Sequence, residues 1–477
     1  MSPVCDETRV YLNLGTHLRV FERKTGKLVD VVPNQDDPDI PTADLAMSDI
    51  GWLLVHSPGA RAVTVHKGLV HFARLPRAAL PSRIEAKLRN ELVAYDVEKR
   101  AIVWRIGGGT DTDTVLKRGV FFRGAPAVAG SRLFVFGAAR VKSEDGEFTR
   151  KEEGYLFCFD RRTGELLWRR LLAYGDTESP PTFPPQAGVA PAYSRGVVTV
   201  VTGLGVAAAV DERDGEILWL LRHSRMRFRE RQRLSRNRPD RSLRHRSAWF
   251  REAPRIVGDS VYFAPFDGEE LLACWLRGKL IDGDFFVVRW EKSRKKDHFN
   301  CLLEQVGGIH GGRIFSIGRP DDRNPRLYES VVSVPLDLGR GLAYGRLPAI
   351  VRDRRSGLAL PPELFGRACI AGDVLLVPTE TRLYRFDLSA IHTKAAGAAA
   401  ETVHEIASLK PYEGLAESRS SFGNLIAVDG ILYAATVTEL IAYGPASAKP
   451  DPPEEGPPEG PPPQDGPEED ATGNDPE

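Results

Sequence analysis

The stretch CFDRRTGELLW, residues 158–168, decides the fold because variants of it recur along the chain. The related stretches are VFERKTGKLVD (20–30), AYDVEKRAIVW (94–104) and AVDERDGEILW (209–219). Their starts lie 74, 64 and 51 residues apart, so a constant unit alternates with loops of variable length. Such repetition is typical of repeat architectures, in which each copy forms one small structural unit.

Each copy predicts a β-hairpin. An apolar run ends in an acid that can accept bonds from the turn amides, and a glycine can take the positive φ that closes the turn. The return strand ends in tryptophan, whose large ring needs burial and whose N–H needs a partner. Arg161 and Arg162 are expected to be solvated in the turn. We assign a structural docking role, and no catalytic role, to Asp96, Trp104, Asp160, Gly164, Trp168, Asp211, Gly215 and Trp219.

A second pattern joins an apolar strand to an alternating strand pair through a Gly or Asp turn. It occurs at 127–137, 256–275, 308–318, 369–387 and 425–443, with divergent forms at 8–21, 48–57 and 191–211. Many short strands with one motif per unit predict an all-β fold, a β-propeller of four-stranded blades. We expect eight blades, with seven as the alternative.

The pattern Ala-x-Asp-x-x-Thr-Gly-x-x-x-Trp resembles the tryptophan-docking repeat of the quinoprotein alcohol dehydrogenase-like propellers. These carry pyrroloquinoline quinone (PQQ)-like repeats and include BamB-like members. The resemblance covers about residues 8–445 and implies that Trp104, Trp168 and Trp219 pack between neighbouring blades. The first copy departs from the pattern, with Glu22 in place of Asp and Asp30 in place of Trp.

The resemblance also raises the question of enzymatic activity, because true quinoprotein dehydrogenases hold PQQ with a calcium ion and many have a disulfide between adjacent cysteines. Here the five cysteines, Cys5, Cys158, Cys274, Cys301 and Cys369, are widely spaced, and the repeat acids are explained by turns. We therefore predict a non-catalytic, monomeric binding scaffold without cofactor. The alternatives are a PQQ- and calcium-dependent oxidoreductase with a degenerate site, and a sensor or scaffold segment of a larger cell-envelope protein.

The histidines give no pattern that favours a metal site. In HKGLVH the five-residue offset places His66 and His71 on opposite faces of a strand, and both are interpreted as surface histidines. For His310, in GGIHGG, the preferred interpretation is a turn with an incidental histidine, and the alternative is a side chain at the mouth of a central funnel.

The overall charge is balanced, with 65 basic and 65 acidic residues, but residues 221–255 contain thirteen arginines and three acids. Arginines interleaved with aromatic residues can bind a polyanion, so the partner is expected to be a protein or a polyanionic macromolecule. The alternative is a solvated loop. The residues of this possible interaction loop are Arg225, Arg227, Arg229, Arg231, Arg233, Arg236 and Trp249.

The chain divides into a propeller, residues 1–446, and a tail, residues 447–477. The tail is rich in proline, glycine and acids and is expected to be disordered. The sequence shows no membrane-spanning run and no signal peptide. Localisation is therefore left open between the cytoplasm and, if an upstream segment is missing, the periplasm or cell envelope.

Overall fold

A computed structural model provides the three-dimensional description of the chain. It describes residues 3–15, 17–32, 63–74, 89–107, 111–177, 188–223, 225, 253–265, 271–277, 288–290, 301–320, 331–336, 342–345, 351–352, 359–360, 366–378, 382–389, 403–408, 424–435 and 440–443. Over these ranges the fold consists of short antiparallel strands and one short helix. The predicted tail, residues 447–477, lies outside them. No helix in the described ranges has the length and hydropathy required to cross a bilayer.

The N-terminal half of the chain forms four sheets of four strands each. Sheet 1 contains β1 (Val4–Cys5), β2 (Arg9–Asn13), β3 (Leu18–Glu22) and β4 (Leu28–Val32). Sheet 2 contains β5 (Val63–His66), β6 (Leu69–Arg74), β7 (Glu91–Asp96) and β8 (Ala101–Gly107). Sheet 3 contains β9 (Phe121–Ala129), β10 (Arg132–Lys142), β11 (Phe148–Asp160) and β12 (Leu166–Asp176). Sheet 4 contains β13 (Ala192–Ser194), β14 (Val197–Val201), β15 (Val206–Asp211) and β16 (Ile217–Arg222).

The remaining strands form three further four-stranded sheets, a hairpin and a three-stranded sheet. Sheet 5 contains β17 (Arg255–Val257), β18 (Ser260–Phe263), β19 (Leu271–Trp275) and β20 (Val288–Trp290). Sheet 6 contains β21 (Cys301–His310), β22 (Arg313–Pro320), β23 (Val331–Pro335) and β24 (Leu342–Gly345). The hairpin pairs β25 (Val351–Arg352) with β26 (Ala359–Leu360). Sheet 7 contains β27 (Cys369–Ala371), β28 (Val374–Pro378), β29 (Arg382–Asp387) and β30 (Val403–Ser408), and the C-terminal sheet contains β31 (Leu425–Val428), β32 (Ile431–Ala435) and β33 (Leu440–Tyr443).

The expectation of eight four-stranded blades is wrong, and the alternative of seven is correct. The described residues form seven four-stranded sheets. The eighth unit that was counted in the sequence, residues 425–443, yields only the three strands of the C-terminal sheet. The sequence that follows Tyr443, GPASAKPDPPEEG, is rich in proline and acids and supplies no β-forming run for a fourth strand.

Tight turns connect the first two strands of several sheets. Lys67 and Gly68 both have positive φ (48° and 76°), and Asp429 and Gly430 repeat this arrangement (49° and 76°). Two consecutive positive φ angles match the two-residue type I′ hairpin, whose twist fits the twist of the flanking strands. The interior strands that follow are strongly apolar, and all five residues of β14 are buried.

The hydrophobic core is divided among the boundaries between neighbouring sheets. One cluster of buried residues joins sheets 2 and 3, the next joins sheets 3 and 4, and the next joins sheets 4 and 5. The first strands of successive sheets are also in contact, as β5 is with β9 and β13 with β17. The side chains of Leu12 in sheet 1 and Ala435 in the C-terminal sheet share a small cluster. The two ends of the described chain therefore pack against each other.

One helix, α1 (Thr114–Arg118), lies between β8 and β9 in the chain. The Asp113 carboxylate caps it by accepting bonds from the amides of Val115 and Leu116. These two side chains are buried in the cluster between sheets 2 and 3. The helix therefore fills the boundary between these two sheets.

Candidate functional site

The repeat aspartates are held in turns by backbone amides. Asp160 Oδ1 accepts hydrogen bonds from the amides of Arg162 and Thr163, each at 2.9 Å. Burial alone would raise the pKa of Asp160, but these bonds outweigh burial and lower its pKa below the usual value. Asp96 and Asp211 accept amide bonds at the same positions of their turns. All three carboxylates are thus engaged in the turn geometry.

Each repeat tryptophan donates its indole N–H to the next sheet. Trp104 Nε1 donates to the Arg161 carbonyl at 3.1 Å, Trp168 Nε1 to the Glu212 carbonyl at 3.1 Å, and Trp219 Nε1 to the Leu276 carbonyl at 3.2 Å. In the first two bonds, the acceptor is the residue that directly follows the turn aspartate. Leu276 occupies the same position after Trp275, which stands in place of the aspartate. The indole bonds therefore link sheets 2 to 5 in sequence.

The turn glycines provide the surface on which the indoles lie. Gly164 has φ +77°, and a Cβ atom there would lie 2.9 Å from Trp104 Cδ2. Gly215 has φ +71°, and a Cβ atom there would lie 2.6 Å from Trp168 Cε3. Glycine is therefore required at both positions for the backbone conformation and for the close approach of the ring.

We expect Gly215→Ala to destabilise the protein more than Gly146→Ala. Gly146 has φ +80°, but nothing lies within 4 Å of a Cβ atom there, so its substitution costs only the left-handed conformation, about 1–2 kcal/mol. Gly215→Ala adds the clash with Trp168, typically another 1–3 kcal/mol. Urea denaturation of both variants checks this, and equal losses would contradict the docking geometry.

The predictions of surface exposure are wrong for two residues near Trp104. Arg161 is buried, and its guanidinium donates to the His66 carbonyl at 3.0 Å, whereas Arg162 is exposed as expected. His71 is fully buried rather than on the surface; its Nε2 lies 3.4 Å from the Arg161 carbonyl oxygen and its ring centroid 5.8 Å from that of Trp104. The turn after β11 and strand β6 therefore each place a buried polar side chain beside the indole bond.

We expect the stability to fall with acidity partly through His71. Burial lowers the pKa of His71 from 6.5 to about 4. As the pH falls, His71 is therefore protonated in the unfolded chain before it is protonated in the folded chain. Its contribution to the free energy of unfolding is complete above pH 6.5 and is lost as the pH falls towards 4. The loss between pH 7 and pH 5 is about 2 kcal/mol. His71→Phe should flatten the pH dependence of the unfolding free energy, whereas the neighbouring His66→Gln should largely preserve it.

Arginine side chains also bridge successive sheets. Arg161 reaches the first turn of sheet 2, and Arg277 Nη2 donates in the same way to the Arg195 carbonyl of sheet 4 at 2.6 Å. Arg23 Nη2 donates to the Val428 carbonyl at 3.3 Å and to Asp429 Oδ2 at 2.7 Å, joining sheet 1 to the C-terminal sheet. This repeated arginine contact was missed in the sequence. Its signal is an arginine one or two residues after the acid position of the repeat.

The described ranges contain no group of three or more His, Cys, Asp and Glu side chains that is suited to a metal ion. His310 Nε2 instead lies 3.2 Å from Asp373 Oδ1, across the boundary between sheets 6 and 7. Burial raises the pKa of the Cys158 and Cys274 thiols to about 12. Such thiols are largely protonated at neutral pH and are weak nucleophiles.

Of the seven residues named for the possible interaction loop, the structure describes only Arg225. Its Nη1 donates to the Asp176 carbonyl at the end of β12, at 2.9 Å. The structure therefore does not test the loop as an interaction site. The residues that lie outside the described ranges are Arg227, Arg229, Arg231, Arg233, Arg236 and Trp249.

Exposed apolar side chains lie on the last strand of four consecutive sheets. This pattern was also missed, because the sequence does not distinguish an outer strand from an inner one. The residues are Leu28 and Val29 in β4, Val103 in β8, Leu167, Leu171 and Tyr174 in β12, and Leu220 in β16. Trp168 is partly buried, whereas Trp104 and Trp219 belong to the core.

One known protein family matches part of the chain. Residues 88–243 match a family model described as outer membrane protein assembly factor BamB. These residues include Trp104, Trp168 and Trp219 and both partners of the first two indole bonds. The resemblance to the PQQ-like repeat propellers is confirmed. No curated protein matches the chain.

Several solved structures are similar to the chain over most of its length. BamB from Moraxella catarrhalis is 11% identical to this chain, with a TM-score of 0.49. The aligned region covers 93% of this chain and 92% of the BamB chain. The computationally designed Ika8 protein is 9% identical, with a TM-score of 0.50, and the aligned region covers 93% of this chain and 95% of the Ika8 chain. Quinohemoprotein alcohol dehydrogenase from Comamonas testosteroni is 12% identical, with a TM-score of 0.45, and the aligned region covers 91% of this chain and 69% of the dehydrogenase chain. At these identities the likeness concerns the fold alone.

Proposed function

We propose that this chain is a non-catalytic scaffold that binds another protein at its outer strands and loops. The observation that carries the proposal is the exposure of large apolar side chains along the outer strands of sheets 1 to 4. Exposed apolar side chains on the outer strands of four successive sheets are candidates for contact with a partner protein. The indole and arginine contacts between sheets would keep these strands in a fixed arrangement, which lowers the entropic cost of binding.

The matching family model also supports a role in protein binding. Its description names an assembly factor, and the match covers sheets 3 and 4 and part of sheet 2. The repeat acids Asp96, Asp160 and Asp211 are engaged by turn amides, so each has a structural role. We therefore assign them to the scaffold and propose no cofactor.

Cross-linking of the full chain in a nuclease-treated lysate of its source cells tests the proposal. We expect one protein to be cross-linked reproducibly to residues of the outer strands, and mass spectrometry would locate the positions. Recovery of no protein beyond that obtained with an unrelated propeller would contradict the proposal.

A variant that lacks residues 223–247 separates the polyanion hypothesis from the protein-binding one. If the arginine-rich loop binds a polyanion, the full chain should bind heparin with a steep salt dependence and the deletion variant should not. Protein cross-links that persist in the deletion variant would assign partner binding to the outer strands.

A further inference from the structure

We propose that the outer edge of β12 accepts an extended, acidic and apolar segment of a partner protein, which adds to sheet 3 as a fifth strand. The inference deepens the proposed function and rests on it. Strand addition of this kind draws its affinity from main-chain hydrogen bonds and its specificity from alternate side chains.

The length of β12 is the first observation. It has 11 residues and pairs with the 13 residues of β11, whereas the outer strands β4, β8 and β16 have 5, 7 and 6. It is the terminal strand of its sheet, and no strand in the described ranges pairs with its outer edge. A long edge strand presents a row of backbone donors and acceptors to an incoming strand.

The side chains of β12 are the second observation. Leu171 is 45% exposed and Tyr174 is 53% exposed, and Leu167 is exposed nearer to the start of the strand. Edge strands are usually protected by charged side chains or proline. Between Leu167 and Tyr174 the only charged side chains of β12 are Arg169 and Arg170, so this protection is confined to the middle of the strand. The register is regular from Trp168 to Leu171 and shifts on either side, so this segment offers an even ladder.

The charged side chains near β12 indicate which kind of segment would pair with its outer edge. The acid Asp113 is engaged by Arg169, and Glu153 is engaged by Arg118, each at 2.8 Å. Strand β12, helix α1 with its cap, and Glu153 together carry four basic side chains, Arg169, Arg170, Lys117 and Arg118, against the three acids Asp113, Glu153 and Asp176. This excess of basic groups favours an acidic segment and disfavours a basic one.

The same charges disfavour a second copy of the chain. Antiparallel pairing of two β12 strands would bring Arg169 and Arg170 of one copy near those of the other, and like charges on opposed strands are destabilising. The acidic residues 447–477 of this chain are also a poor occupant, because prolines recur through them and lack the N–H that a ladder needs. The favoured occupant is therefore a separate protein.

Fluorescence anisotropy with the full chain and three labelled peptides of about a dozen residues tests the proposal. One peptide alternates valine with glutamate, the second alternates valine with lysine, and the third is the first with N-methyl groups on alternate residues. We expect the acidic peptide to bind, and the other two to bind at least about tenfold more weakly through charge repulsion or lost backbone donors. Equal affinity for all three, or no binding of the acidic peptide, would overturn the proposal.

Variants of the chain locate the binding. The double variant Leu171→Asn with Tyr174→Asn removes both apolar contacts without adding charge and should weaken binding of the acidic peptide at least about tenfold. The control Trp275→Asn replaces an exposed apolar side chain on β19, outside the outer strands, and should leave the affinity unchanged. A double variant with wild-type affinity would place the peptide elsewhere and overturn the proposal.

Hydrogen exchange of the unaltered chain gives a second measurement that does not depend on the folding of a variant. The acidic peptide should slow exchange of amides within residues 166–176, and protection elsewhere with none there would overturn the proposal. The cross-linking experiment decides the proposed function separately. A partner cross-linked only to other outer strands would support the scaffold role and reject β12 as its site.

Discussion

Replacing Trp219 by alanine lowers the free energy of unfolding by about 3–5 kcal/mol, the usual range for loss of a buried large aromatic side chain. Trp219 is 1% exposed and lies in the core cluster between sheets 4 and 5. The substitution also leaves the Leu276 carbonyl without its indole donor. Both effects weaken the same boundary, so the transition in urea should move to lower concentration.

Trp275 supplies a matched control in the neighbouring sheet. Its side chain is 48% exposed, so Trp275→Ala should cost less than about 1 kcal/mol. Trp219→Phe keeps most of the apolar area and should cost less than the alanine variant. Equal losses for Trp219→Ala and Trp275→Ala would contradict the role of the indole as a dock between sheets.

Replacing Glu152 by alanine should cost about 3–5 kcal/mol through a different cause. Glu152 Oε1 lies 3.2 Å from Arg140 Nη1, and both side chains are buried in sheet 3. Burial lowers the pKa of Arg140, and the Glu152 carboxylate opposes that effect. Removal of Glu152 leaves the guanidinium in a buried position without its carboxylate.

A double variant measures the coupling of this pair. Arg140→Met with Glu152→Met replaces both charges by apolar side chains, and such exchanges are often neutral or stabilising. We expect the double variant to be more stable than Glu152→Ala by urea denaturation. If the double variant were the less stable of the two, the buried pair would not be the source of the loss.

The repeats made the fold largely predictable. A turn acid, a turn glycine and a terminal tryptophan leave a sequence signal, because each demands a particular residue type at a fixed position. That signal identified the PQQ-like repeats, but it could not show that residues 425–443 yield only three strands in the described part of the chain. It also did not reveal α1, whose five residues are too few for a helical periodicity.

Contacts between sheets were harder to predict than the turns. Arg161 lies in a polar turn sequence, and only the packing of sheet 2 against sheet 3 shows that its guanidinium is buried. His71 lies within the apolar run LVHFA of β6, and its ring packs near that of Trp104 in the folded chain. The exposure of Leu171 depends on β12 being the outer strand of its sheet. These properties belong to the assembled fold, so a single repeat does not encode them.

The central claim, that this propeller binds a partner and performs no quinone chemistry, has one direct test. The full chain is titrated with PQQ and calcium, supplied with primary alcohols and assayed for reduction of a dye acceptor. The scaffold account predicts no alcohol-dependent reduction above a control without protein. Sustained turnover that requires both PQQ and calcium would contradict it.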